Sequence, residues 1–177
     1  MYHLYTTGQN DVNLLIYPPV EGKLTTSFGA LVEMIEGPFA RYTGSIPPRE
    51  VPIDWELLDE RRAVVRFPTS ILAGVHDVIL QIDYAGDVGN AYIDGKLVHD
   101  HFYNGQPWKI GLRHLSLTGE TEMVIVISPI KKHTGGVRYI PTGMAFRPDS
   151  GSEALAAIRS IRAVPEYKIL VGMVPDS

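Results

Sequence analysis

Residues 78–98 carry the clearest indication of the fold, and they read VILQIDYAGDVGNAYIDGKLV. Every second residue from Val78 to Tyr84 is apolar, and two of the three residues between them are polar. Because successive side chains of a strand point to opposite faces, this period of two predicts a half-buried β-strand. Further along, Asp94-Gly95 separates two apolar runs. The pair predicts a tight hairpin, since both central residues of a type I′ turn need a positive φ.

Short apolar segments recur on both sides of this stretch, and glycine and proline separate them. The chain contains 17 Gly and 13 Pro, which favours many short strands joined by turns over long helices. The sequence therefore predicts an all-β fold, an antiparallel β-sandwich with one or two short helices. Further strands are predicted at Val12–Tyr17, Phe28–Ile35, Ala63–Phe67 and Glu122–Ile127, with a closing strand from Ile158 to Val171.

Three segments depart from the strand pattern. Residues 54–62 read DWELLDERR, which predicts a short helix capped by Asp54. Residues 131–151 are rich in glycine and proline, which predicts long loops around a short strand at Met144–Phe146. Residues 152–164 combine helical spacing with a strand-like end, and we favour the strand.

Length, cysteine content and charge exclude several classes of protein. The 177 residues fit one domain, residues 1–177, with a less regular part over 1–62 and the sandwich core over 63–171. The absence of cysteine excludes disulfides, cysteine-bound zinc and thiol catalysis. The formal net charge is −4 and the basic residues are scattered, so we expect no nucleic-acid partner.

Membrane insertion is not expected either. The longest apolar stretches, such as Met123–Ile127, are far shorter than the roughly 20 residues that a spanning helix needs. Residues 1–5 lack the basic region and the apolar run of a signal peptide, so none is predicted within this chain. A longer exported precursor stays compatible with the sequence.

His99 and His101 are the strongest candidates for a metal-binding or catalytic pair. In a strand, residues i and i+2 share a face, so both imidazoles can reach one ion. No third ligand follows nearby, and we favour a solvated strand face, with no metal and no cofactor. Asp83, Asp87 and Asp94 also lie close in sequence, but turns favour aspartate at the last two positions. With no nucleophile elbow and no nucleotide loop, we predict no catalytic residue.

Aromatic and amide residues gather over residues 102–108, which read FYNGQPW. Aromatic faces stack on the C–H surfaces of sugars, while amide and carboxylate groups bind the hydroxyls. Tyr103, Asn104, Asp87 and Trp108 are therefore candidate carbohydrate-binding residues. For Trp108, a buried position beneath the sheet is the preferred interpretation.

Two stretches resemble a known family. Residues 83–112 contain the Asp-Gly hairpin and then the Tyr-Asn-Gly-x-Pro-Trp loop, and Ile158–Tyr167 resembles a closing strand. Together they resemble the galactose-binding-like jelly roll. More narrowly, they resemble the accessory β-sandwich of glycoside hydrolase family 35-type β-galactosidases. The first 60 residues carry little of this pattern.

The resemblance implies a jelly-roll fold and carries no catalytic residue onto this chain. In that family the catalytic glutamates belong to a TIM barrel, which needs about 200 residues by itself. The resemblance also implies a secreted parent enzyme, extracellular or periplasmic, whose catalytic domain is the partner of this module. Many related modules hold a structural calcium; no acidic cluster here matches a calcium loop, and that point stays open.

Our leading hypothesis is a non-catalytic module that packs on a catalytic domain, binds galactosides, or does both. Two alternatives stay open. One is a small sandwich enzyme that uses His99, His101 and a carboxylate. The other is a protein-interaction module, whose exposed sheet face is expected to drive self-association.

Overall fold

The computed structural model describes residues 2–8, 11–47, 49–115, 117, 119–131 and 154–174. Strands dominate these residues and pair antiparallel, which confirms the predicted all-β sandwich. Within the described ranges, helical structure is limited to the 3-10 turn Leu112–His114. The strand predicted at Met144–Phe146 lies outside them. The chain divides into two compact units.

The first unit comprises residues 1–50, 74–77 and 164–177. Its strands are β1 (Tyr2–Thr7), β2 (Asp11–Ile16), β3 (Lys23–Thr26), β4 (Gly29–Ala30), β5 (Val32–Glu36) and β6 (Phe39–Ser45). One antiparallel sheet has the order β2-β6-β5, and β1 and β3 pair with the last strand of the chain. The buried core consists of Val12, Leu24, Ala40, Tyr42, Ile46, Tyr167, Ile169 and Val171.

The second unit comprises residues 51–73 and 78–163. The remaining strands are β7 (Asp54–Asp59), β8 (Arg62–Phe67), β9 (Asp77–Ala85), β10 (Val88–Ile93), β11 (Lys96–Phe102), β12 (Trp108–Gly111), β13 (Thr121–Ile127), β14 (Ile130–Lys131), β15 (Ala154–Leu155) and β16 (Ala157–Val174). A five-stranded sheet has the order β11-β10-β13-β8-β7, and β12, β9 and β16 lie side by side in a second sheet. The last strand also contributes its residues from 164 onward to the first unit.

Alternating apolar residues build the core of the second unit. β9 buries every second residue from Val78 to Tyr84, which confirms the predicted alternation. β13 buries every second residue from Met123 to Ile127 in the same way. Burying one large apolar side chain contributes about 1.5–3 kcal/mol, so these faces dominate the stability of the unit.

The Asp-Gly hairpin forms as the sequence predicts. Asp94 and Gly95 have φ angles of 50° and 73°, both in the left-handed region that this turn requires. β10 and β11 then pair antiparallel, with a register shift between Ala91 and Tyr92. Beyond this bulge, His99 lies opposite Ala91. The bulge thus sets which residues of β10 face the two histidines of β11.

The predicted helix over residues 54–62 is wrong, because this segment forms β7 and the start of β8. Asp54 is therefore a strand residue and caps no helix. The strand register places acidic side chains around one guanidinium: Arg66 contacts Asp54 at 3.3 Å, Glu56 at 2.6 Å and Glu122 at 2.8 Å. Cross-strand pairing, which depends on distant residues, overrides the helical preference of the local composition.

Two further segments for which the sequence predicts strands contain strands in the structure. The strand predicted over Phe28–Ile35 forms as two pieces, β4 and β5. Residues 157–164 belong to β16, which confirms the strand in preference to the helix. Among the residues that the structure describes, no helix is long and apolar enough to span a membrane.

Candidate functional site

The structure brings together Asp87, Tyr103 and Asn104. Asp87 lies in the turn between β9 and β10, and Tyr103 directly follows β11. The Tyr103 backbone N–H donates to the Asp87 carbonyl oxygen at 2.9 Å, and the Asp87 N–H donates to the Ser128 carbonyl at 2.8 Å. Asp87 and Asn104 are exposed, and Tyr103 is half-buried. The backbone hydrogen bond therefore makes Asp87 a neighbour of Tyr103, which Asn104 follows in the chain.

The loop Tyr103–Pro107 is held by its own contacts. The Asn104 side-chain oxygen accepts a hydrogen bond from the Gln106 backbone N–H at 3.0 Å, which forms an Asx turn. Gly105 has a φ of 82°, a conformation that favours glycine. The Tyr103 ring packs edge-on against Tyr84, with a centroid distance of 5.3 Å. These contacts pre-organise the loop and leave the Asn104 NH2 group to donate to a ligand.

Trp108, the fourth predicted residue, is 0% exposed, as the preferred interpretation expects. Its ring stacks on His101 at 5.9 Å with an interplanar angle of 11°. On the strand β10, a Cβ added to Gly89 would lie 2.7 Å from Trp108 Cζ3, so the indole lies directly on the glycine. Trp108 presents no ring face to solvent. Its place is beneath the loop, as a support rather than a sugar-stacking surface.

His99 and His101, the predicted metal-binding or catalytic pair, both contact Trp108. The indole Nε1–H donates to His99 Nδ1 at 3.2 Å, and His101 Nδ1 lies 2.9 Å from Tyr84 Oη. His99 Nδ1 also lies 2.9 Å from the Asp100 carbonyl oxygen. Within the described part of the chain, no group of three or more His, Cys, Asp or Glu residues is arranged to hold a metal ion.

The surrounding donors and acceptors assign the proton of His101. Tyr84 Oη lies 3.0 Å from the His101 carbonyl oxygen, to which the hydroxyl donates. His101 Nδ1–H then donates to Oη. The two contacts of His99 Nδ1 favour opposite tautomers, because the indole N–H only donates to this nitrogen and the Asp100 carbonyl oxygen only accepts from it.

Burial shifts the acid–base behaviour of this cluster. Burial raises the pKa of Tyr84 to about 12. Burial also lowers the pKa of His101 below its ordinary value of 6.5, the charge of nearby His99 lowers it further, and Asp100 acts in the opposite direction. Because each shift disfavours the charged form, the cluster is adapted to packing in its neutral state.

Acidification below about pH 6.5 is expected to destabilise the protein through His101. Because its pKa is lowered in the folded state, the unfolded chain binds the proton first. The free energy of unfolding therefore decreases as the pH is lowered, until His101 is also protonated in the folded protein. Urea unfolding at several pH values measures this dependence, which is expected to be weaker in His101→Asn. His114→Asn, at an exposed imidazole, is the matched control; equal slopes in wild type and His101→Asn would contradict the prediction.

Two of the three aspartates that lie close in sequence are too far apart to form a catalytic pair. Asp87 and Asp94 flank opposite ends of β10, and at about 3.3 Å per residue their backbones lie about 20 Å apart. Glycoside hydrolysis uses carboxyl groups roughly 5 to 9.5 Å apart. The third, Asp83, is bound to Arg159, with 3.2 Å between its oxygen and the guanidinium nitrogen.

A shallow depression of about 550 Å³ borders the loop at Gln106 and Pro107. Lys109 of β12 pairs in register with Gln81 of β9, and Arg162 Nε of β16 donates to Gln81 Oε1 at 3.0 Å. No motif in the sequence indicates Lys109, Gln81 or Arg162 as site residues. Gln81 was visible only as a polar position of an alternating strand, and its two neighbours come from distant parts of the sequence.

Comparison with known proteins assigns no family to the chain. No protein-family model and no curated protein matches the sequence. Among solved structures, the chain is similar to a Bifidobacterium dentium beta-glucuronidase complexed with coumarin-3-O-glucuronide (18% identity, TM-score 0.35, 61% of this chain and 21% of that chain). It is also similar to a Bacteroides fragilis protein named as a beta-galactosidase (16% identity, TM-score 0.32, 89% of this chain and 23% of that chain). Both neighbours are glycosidases, and the chain spans less than a quarter of the length of each.

Proposed function

We propose that this chain is a non-catalytic β-sandwich module of a carbohydrate-degrading enzyme. It binds saccharides at the Tyr103–Pro107 loop and packs on a catalytic domain of the same polypeptide or complex. The observation that supports the binding part is the backbone hydrogen bond that makes Asp87 a neighbour of Tyr103 and Asn104. A carboxylate, an aromatic ring and a side-chain amide are the groups with which proteins bind sugars. Galactosides, which the sequence resemblance suggests, are the first ligands to test.

The packing part is supported by the outer face of the β2-β6-β5 sheet. Val12, Ala40 and Tyr42 are buried on its inner face, so alternate residues point outward. A group of large apolar side chains on one exposed face indicates an interaction surface. The outward apolar residues are Leu15, Val32, Met34 and Phe39, which are between 39% and 69% exposed.

An independent enzyme that uses His99 and His101 is less well supported. Both imidazoles lie against the buried Trp108 ring, and one nitrogen of each is hydrogen-bonded within the aromatic cluster. Their contacts explain them as parts of the support beneath the loop.

Isothermal titration of the whole chain with galactose, lactose and a longer galactan, with and without calcium, is expected to give saturable heat. Asn104→Ala is expected to weaken binding about tenfold, the equivalent of about 1.4 kcal/mol, because it removes one side-chain hydrogen-bond donor to the ligand. Tyr103→Ala is expected to cost at least as much. Tyr17→Ala, at an exposed tyrosine of the first unit, is the matched control and should keep the wild-type affinity.

Two results would count against the binding part. Full affinity in both Asn104→Ala and Tyr103→Ala would place the saccharide elsewhere on the chain. Absence of heat with every sugar would contradict saccharide binding itself and leave packing on a catalytic domain as the function.

A further inference from the structure

We infer that the depression beside the loop binds the carboxylate of an acidic saccharide, a hexuronate residue, through Lys109 and Arg162. This inference rests on the proposed carbohydrate binding and specifies its ligand class. It follows from three observations: a row of polar side chains across three strands, two cations with no carboxylate partner in the described part of the chain, and an adjoining set of groups suited to sugar hydroxyls.

The row lies on the outward face of the second sheet. β9 runs between β12 and β16, so Gln81 stands between Lys109 and Arg162. Their sequence neighbours Leu80 and Ile110 are completely buried on the opposite face. Because side chains alternate along a strand, the polar row points away from the core. Each residue is therefore held at a defined position by the strand that carries it.

The two cations of this row have no carboxylate partner among the described residues. Other arginines in the described part of the chain do: Arg41 binds Glu36, and Arg159 binds Asp83. Arg162 instead donates from Nε to the neutral amide oxygen of Gln81. That bond orients the guanidinium and leaves its two terminal NH2 groups, which match the two oxygens of a carboxylate.

The remaining lining groups suit a sugar ring better than a bare anion. Gln81 and Gln106 supply amide donors and acceptors, and Pro107 supplies an apolar surface. Among the described residues, the lining contains Lys109 and Arg162 but no acidic side chain. Neutral sugars are commonly held by carboxylates that accept from their hydroxyls, so this lining favours a ligand that brings its own negative charge. In a chain of net charge −4, attraction of an anion must come from such a local pair of cations.

Galacturonate and galactose form a matched pair of probes, because they differ only by a carboxylate in place of the CH2OH group. In isothermal titrations of the whole chain, galacturonate is expected to bind at least tenfold more tightly than galactose at low salt. Arg162→Gln and Lys109→Gln are each expected to remove most of this preference. Arg162→Lys, which keeps the positive charge but loses the paired NH2 groups of the guanidinium, should retain part of this preference. Lys96→Gln, in the Asp-Gly hairpin, is the control and should retain all of it.

The outcomes separate this inference from the proposed function. Saturable binding of both sugars with equal affinity, unchanged by Arg162→Gln, would overturn the inference and leave saccharide binding intact. Acetate binding as tightly as galacturonate would overturn it too, because the site would then select an anion without a sugar. If neither galacturonate nor galactose binds, the result would contradict the binding part of the proposed function. It would contradict the inference as well. Thermal unfolding of each variant checks that these surface substitutions leave the fold intact.

Discussion

Replacement of Trp108 by alanine is expected to lower the free energy of unfolding by about 3–5 kcal/mol. The indole is completely buried and packs on His101, His99 and Tyr84, so its removal leaves a cavity that these rings cannot fill. Loss of its N–H also leaves His99 Nδ1 without its donor. Domains of this size are stable by about 5–15 kcal/mol, so the loss is a large share of the total. Urea unfolding followed by circular dichroism measures it.

The second tryptophan of the chain provides the control for this substitution. Trp55 is half-buried on β7, and Trp55→Ala is expected to cost clearly less than Trp108→Ala. A loss below about 1 kcal/mol for Trp108→Ala would contradict the role assigned to this ring, since ordinary surface substitutions change stability by about 0.5 kcal/mol or less. A large loss is also expected to abolish saccharide binding, because the loop above the ring would lose its support.

The substitution Gly89→Ala is expected to destabilise the protein by about 1–3 kcal/mol, although alanine usually suits a strand better than glycine. The new Cβ would lie 2.7 Å from Cζ3 and 2.9 Å from Cε3 of Trp108. A ring enclosed on all sides cannot move away by several tenths of an ångström without disturbing its own neighbours. Urea unfolding of the single variant measures the cost of this overpacking.

A double-mutant cycle shows whether the cost comes from Trp108. In a Trp108→Ala background, the penalty of Gly89→Ala is expected to disappear, because both close contacts are gone and Ile127 Cδ1, at 3.4 Å, is an ordinary contact. Gly172→Ala is the matched control: among the described residues its Cβ would meet Thr25 Oγ1 alone, at 3.9 Å, an ordinary contact. Additive losses in the double variant would contradict direct contact as the cause.

Residues beneath the loop and residues that face the ligand are separate in this protein, although Asn104 also holds the loop through its Asx turn. Trp108 and Gly89 lie beneath the loop, and their substitution acts on folding. Asn104 and Arg162 are exposed, and their substitution is expected to act on binding with little change in stability. This separation allows the proposed function to be tested with variants that fold normally.

Local patterns in the sequence predicted much of the fold. The alternation along β9 and the Asp94-Gly95 turn needed no knowledge of distant residues, because side-chain period and backbone φ are properties of neighbouring positions. The same holds for the turn chemistry around Asp87 and for the aromatic content of residues 102–108. These local signals predict Asp87, Tyr103 and Asn104 as candidate binding residues without information on the pairing of the strands.

Pairing between distant strands accounts for the parts of the fold and of the site that the sequence did not predict. Residues 54–62 have the composition of a helix, yet residues 54–59 form a strand that pairs with β8, where Asp54 and Glu56 contact Arg66. The row of Lys109, Gln81 and Arg162 has the same origin, because Arg162 and Gln81 are 81 positions apart in the chain. Which polar residues become neighbours depends on the order of strands in a sheet, and that order follows from the packing of whole apolar faces rather than from any local motif.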